Sequence, residues 1–198
     1  MNEKSNSLKN DGKADKKQEA LQLAKTYLQT LGFNGFSFQT IADSLGIRKA
    51  SLHYYFSSKE EMGLELMKDY ENAYKLWSAK VSELSAAQKL EKLVSMFLKM
   101  SEQGQYICPT GVLTSDYNTL PAKMKKKVKE FHFIQREWII ETLEQGKKER
   151  TFRKDLDTKI TADLIMATLQ GGLQLMRLRG EKDIVKKMCH TVFESFYA

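Results

Sequence analysis

The sequence predicts an all-α protein, with an N-terminal three-helix head of helix-turn-helix type and a larger C-terminal helical domain, about nine helices together. Three observations carry this. Apolar residues recur at three- and four-residue intervals along most of the 198 residues, the period of a helix with one buried face. The chain has only 2 prolines, so long helices can run unbroken. The stretch from Phe38 to Phe56 reads as two short helices about a glycine.

Residues 1–15 are polar, rich in Lys, Asn, Ser and Asp, and read as a flexible arm. Ala20, Leu21, Ala24, Tyr27, Leu28 and Leu31 form a stripe that places a first helix over Lys16–Leu31, ended by Gly32. Phe33, Phe36 and Phe38 should pack it onto the helix-turn-helix. Ser37 stands where a second helix needs an N-cap, worth about 1 kcal/mol. Ile41, Ala42 and Leu45 give that helix its inner face, and Gly46 supplies the turn. Ile47 plugs the gap beneath it. Leu52, Tyr55 and Phe56 face inward from a third helix, while Arg48, Lys49, Ser51, His53 and Tyr54 face outward. Cations, a hydroxyl and polar-tipped aromatics are the groups that meet phosphates and base edges. Lys49 to Tyr55 is therefore the candidate recognition helix. Tyr55 and His53 are assigned to phosphate. Ser58 and Glu61 spell a capping box for a fourth helix, Lys59 to Ser82. Lys59 sits in its first turn, where the helix dipole disfavours a cation, which suggests an anionic neighbour.

Gly32-Phe33-Asn34-Gly35-Phe36-Ser37, Ile41-Ala42, Gly46-Ile47, Lys49-Ala50-Ser51-Leu52, Tyr55-Phe56 and Ser58-Lys59-Glu60 stand in an order and spacing that resembles the tetracycline-repressor (TetR) family of bacterial regulators, from about Ala20 to Met67. The resemblance implies backbone contacts to DNA from Ser37, Gln39 and Thr40, and a phosphate contact from Lys59. Lys49, Ser51, Tyr54 and Lys59 match the family's contact positions best. His53 departs from the usual tyrosine and Ala50 from the common glycine, which leaves the base preference open. The remaining two thirds resembles the family only in its all-helical pattern.

Composition agrees with a polyanion as partner, since the formal net charge is +7, a surplus equally compatible with plain solubility. No apolar stretch approaches the roughly 18–20 residues that cross a bilayer, and the N-terminus lacks a signal-peptide core. A cytoplasmic protein without a membrane partner is expected. Two cysteines, Cys108 and Cys189, are too few for a disulfide framework. There is no glycine-rich phosphate loop and no HExxH or CxxC spacing. His53, His132 and His190 are scattered over three helices, so no metal site, cofactor or enzyme activity is expected.

In the fourth helix Met62, Leu66, Tyr70, Tyr74 and Trp77 make a large apolar and aromatic face, fit to link head and body. A fifth helix, Ala86 to Gln103, is apolar nearly all round and reads as centrally buried. A short helix is placed near Pro109 to Tyr117. A seventh, Pro121 to Lys148, opens with a lysine run read as a solvated face. Asp157 and Asp183 should cap an eighth helix, Thr158 to Arg179, and a ninth, Ile184 to Phe196.

The last two helices carry more apolar residues than a surface helix needs, and the resemblance implies a four-helix interface between two subunits. Leu164, Thr168, Gly171, Gly172, Leu175, Val185, Met188, Val192 and Phe196 are the candidates for that homodimer face. Phe97, Met100, Cys108, Trp138, Met166 and Gln170 are the candidate lining of a site for a small hydrophobic effector. The expected function is a dimeric repressor of a double-stranded palindromic operator, with residues 16–58 as the reader and 59–198 as the effector-binding and dimerisation domain. Two alternatives stand beside it: a thiol-based sensor using Cys108 at a helix N-terminus, and a helical interaction module without a DNA role.

Overall fold

The computed structural model describes the backbone of residues 3–100 and 106–197, and side chains from residue 15 onward outside the gap. The described elements are α1 (Glu3–Leu31), α2 (Phe38–Ser44), α3 (Lys49–Tyr55), α4 (Lys59–Lys80), α5 (Ala86–Met100), α6 (Pro109–Ser115), a 3-10 turn (Tyr117–Thr119), α7 (Ala122–Lys148), α8 (Thr158–Arg179) and α9 (Ile184–Glu194). No strand occurs among the described residues; one isolated antiparallel bridge joins Phe152 to Tyr197. α1 begins well before Lys16, so the backbone of residues 3–15 of the expected arm is helical. From Glu3 to Asp15 nothing breaks a helix but Gly12. The expected end of the fifth helix at Gln103 and Gly104 lies outside the described residues.

Local chemistry sets the head. Ser37 Oγ accepts the Thr40 N–H at 3.1 Å, and Thr40 Oγ1 accepts the Ser37 N–H at 3.2 Å, a reciprocal cap on α2. At the other end Gly46 has φ +63°. Its N–H bonds Asp43 O at 3.2 Å and the Ile47 N–H bonds Ala42 O at 3.0 Å, the paired bonds of a left-handed helix stop. A Cβ on Gly46 would meet nothing within 4 Å, so glycine is required there by backbone conformation and not by space. Ser58 Oγ caps α4 through the Glu61 N–H, while the Glu61 carboxylate reaches one residue further back, to the Ser57 N–H at 2.5 Å.

Two apolar cores run through the chain. The first joins the head to the front of α4 and to Leu113, Leu120, Met124, Val128 and Phe131. The second joins α5, the rear of α7, α8 and α9. α7 is the central helix, packed against α4, α5, α6 and α8. The expectation that the fifth helix is buried all round is therefore corrected: Leu90, Leu93, Val94 and Phe97 are buried, but Glu91, Lys92, Ser95 and Lys99 are exposed. The lysine run on α7 is partly tied down. Lys127 pairs with Glu71 of α4 at 2.5 Å, and Lys125 donates to Asn118 O at 3.0 Å. Asp157 caps α8 as expected, accepting from Lys159 N and Ile160 N. Asp183 makes no side-chain cap on α9; its carboxylate pairs instead with Lys187 at 2.8 Å.

The turn between α1 and α2 is clamped from the far side of the sequence. Asp116 Oδ2 accepts the Phe33 N–H at 2.6 Å, Asn34 Nδ2 donates to Thr119 Oγ1 at 2.7 Å, and Arg177 donates to Thr30 O at 3.0 Å. Asp116→Ala leaves the part-buried Phe33 N–H without its partner, at a cost of about 1–3 kcal/mol. The expected result is a lower melting temperature and faster amide exchange at Phe33; an unchanged exchange rate would show that the clamp carries no energy.

Candidate nucleic-acid interface

α3 has a sharply divided surface. Leu52 is 0% exposed and Phe56 1%, both in the first core. Arg48, Lys49, Ala50, Ser51, His53 and Tyr54 are exposed, with Tyr54 at 70%. Tyr55 is half-buried against the core. The His53 ring packs on Phe38 at the start of α2, with centroids 5.0 Å apart, and Tyr54 lies edge-on to Tyr55 at 5.4 Å. α1 is tied to the end of α2, where Tyr27 Oη and Ser44 Oγ share a hydrogen bond of 2.7 Å. On α2, Ser37 and Gln39 are exposed and Thr40 half-buried. The two hydroxyls serve the cap, and the Gln39 amide donates to Asp43 Oδ1 at 2.7 Å.

Lys59 is half-buried at the start of α4, beside the turn that leads into α2. Its ammonium donates to Phe36 O at 2.6 Å and lies over the rings of Phe33 and Phe36, at 4.5 Å and 4.6 Å from their centroids. Burial lowers its pKa, with Asp116 opposing that shift. The carbonyl and two ring faces satisfy the charge that the first turn of α4 disfavours.

Residues 20–66 match the family model for bacterial regulatory proteins of the tetR family, and residues 86–192 match tetracyclin repressor-like, C-terminal domain. The chain belongs to the TetR family. It is thus a DNA-binding, helix-turn-helix transcriptional regulator, and the family is one of regulators, not enzymes. The transcriptional repressor KstR2 of Mycolicibacterium smegmatis is 29% identical over 161 residues, 78% of this chain and 76% of that one. A TetR regulator of Legionella pneumophila superposes with TM-score 0.80 at 27% identity, over 90% of this chain and 95% of that one. One from Agrobacterium tumefaciens gives 0.88 at 22%, over 94% and 100%. The match over residues 86–192 falls where the sequence offered only an all-helical pattern.

Behind the head, two cavities flank α6. The first, about 480 Å³, is walled by α1, α4, α5, α6 and α7 and takes in Met100 and Cys108. The second, about 540 Å³, lies among α6, α7 and α8 and takes in Met166 and Gln170. The six residues expected to line one site are thus divided. Phe97 lines neither cavity, being 0% exposed in the second core. Trp138 stands behind the first, its ring 5.0 Å from Trp77 and 6.4 Å from Tyr74. Sequence reasoning missed Lys25, Lys99 and the cavity role of Tyr70, Tyr74 and Trp77. The aromatic spacing in α4 was visible, but nothing local tells that α1 closes the other wall. Both thiols are buried, and burial pushes Cys189 up to about 12.

The interface candidates also divide. Val185 is 0% and Phe196 2% exposed, and Gly172 lies under Val185, a Cβ there falling 3.3 Å from it. Thr168 is 8% exposed and bonds Leu164 O. These four serve packing within the subunit, because α9 folds onto α8 and the C-terminus returns to Phe152. Leu164 stays 47% exposed and Gly171 faces open space. Leu175, Met188 and Val192 are half-buried. Ile160 and Leu178, not among the candidates, are 66% and 81% exposed. Ile160, Leu164, Gly171 and Leu178 keep heptad-like spacing on one face of α8, a signal that was present in the sequence.

Among the described residues no helix is long and apolar enough to cross a membrane, and no group of three or more His, Cys, Asp or Glu could hold a metal ion.

Proposed function

We propose that the protein is a dimeric repressor that reads a palindromic operator with α3 and is released by a small effector bound beside α6. The observation that carries this is the division of α3, with Leu52 sealed in the core and Lys49, Ser51 and Tyr54 presented outward. The apolar stripe on α8 supports self-association, since exposed Ile160, Leu164 and Leu178 would be covered by a second copy. A two-fold pair would place two copies of α3 about 34 Å apart, on successive turns of one duplex face. The related KstR2 is itself named a transcriptional repressor. Release results if the effector favours a pose of α4 in which both half-sites cannot be met together.

The test is to recover DNA fragments that the purified protein selects from genomic DNA, footprint them, and titrate with salt. The expected result is a two-fold symmetric footprint and a log–log salt slope of about −0.9 per phosphate contact. A salt-insensitive complex, or no selection of symmetric sites, would sink the proposal.

A further inference from the structure

From the wall chemistry of the first cavity we infer that the effector is an amphipathic organic anion, an apolar body carrying a carboxylate or similar group, which rests on the effector-released reading of the protein. Lys25 of α1 and Lys99 of α5 line the cavity, and among the described residues no carboxylate does. Neither lysine makes an ion pair among the described residues; the Lys25 ammonium lies over the Tyr70 ring at 5.3 Å from its centroid. The hydroxyls of Tyr70 and Tyr74 are buried in the same wall without hydrogen-bond partners among the described residues, and Tyr74 is 4% exposed. A buried hydroxyl left unpaired is costly. Burial raises the pKa of both phenols, so each keeps its proton and can donate to a ligand oxygen. Trp77 and Phe131 supply apolar wall. A cavity of about 480 Å³ is of the size that encloses a small organic molecule.

The aromatic rings alone would also suit a quaternary ammonium. The two lysines decide against it, because a second cation would face like charge in a wall without a carboxylate among the described residues, the nearby Asp69 lining instead the small adjoining pocket with Lys25 and Tyr70. An anion there draws Lys25 and Lys99 together, and so ties the first helix of the head to α5. Binding is thereby felt in the head through α1 as well as through α4.

Three probes sharing one tail separate the possibilities: decanoate, decanol and decyltrimethylammonium. Each is titrated into the full chain, monitored by the fluorescence of Trp77 and Trp138, the 2 tryptophans present. Decanoate is expected to bind about tenfold more tightly than decanol, and decyltrimethylammonium more weakly than either. Lys25→Gln and Lys99→Gln should each erase much of the decanoate advantage and leave decanol unchanged. Equal or tighter binding of the ammonium probe, no binding of decanoate, or a decanoate preference that survives both substitutions would overturn the inference. Operator binding by the same preparations is measured alongside. If it is intact while anion selectivity is absent, only the ligand class fails; if it is absent, the regulator reading itself fails.

Discussion

Lys49→Ala and Tyr54→Ala are each expected to abolish specific operator binding while the fold and the proposed dimer persist. Both side chains are exposed on α3, so neither truncation opens the core. A good contact to a base edge or phosphate is worth about 1–3 kcal/mol. A symmetric dimer carries each substitution twice, so the expected loss is about 2–6 kcal/mol per variant. A loss of about 4 kcal/mol or more brings a nanomolar site to the micromolar edge of non-specific binding, and the lower end of the range is still about thirtyfold. Fluorescence anisotropy on the selected operator reads the loss, and circular dichroism with sedimentation shows that fold and assembly remain. Lys123→Ala, on the exposed start of α7, serves as the control for simple loss of charge. Full affinity in both α3 variants would remove the recognition assignment.

Leu52→Ala acts on the same helix from the other side. Leu52 is 0% exposed in the first core, and a buried leucine truncated to alanine costs about 2–5 kcal/mol. For a chain of this size that corresponds to a fall in melting temperature of about 5–20 °C. DNA binding should be lost with it, through disorder of the head and not through a missing contact. Ser51→Ala, one residue away and exposed, should leave the stability within about 0.5 kcal/mol of the parent. An unchanged melting temperature in Leu52→Ala would mean that α3 does not pack as described. The two substitutions together separate what α3 holds from what it presents.

The surroundings of Lys59 depend on more than its neighbours in the chain. Its place in the first turn of α4, and its need for a negative partner, were both plain in the sequence. One partner within the chain is the Phe36 carbonyl beside two phenylalanine faces, and that contact depends on how the turn after α1 folds back over α4. The interface candidates teach the same lesson. Apolar residues on α8 and α9 were visible, but which of them face the subunit's own core depends on α9 packing over Gly172 and on the return of the C-terminus to Phe152. The effector candidates spread over two cavities and a core position, because cavity walls join residues from helices distant in the chain.

By itself the sequence determined the all-helical class, the turn at Gly46, the caps at Ser37, Ser58 and Asp157, and the inward phase of Leu52. Each of these rests on hydrogen bonds or periodicity within a few residues, where backbone conformation and spacing leave little choice. Tertiary structure alone decided that Lys59 meets the Phe36 carbonyl, that Val185 and Phe196 are covered within the subunit, and that Lys25 shares a cavity with Lys99. Those outcomes depend on desolvation and packing between segments far apart in the chain, which no local pattern encodes.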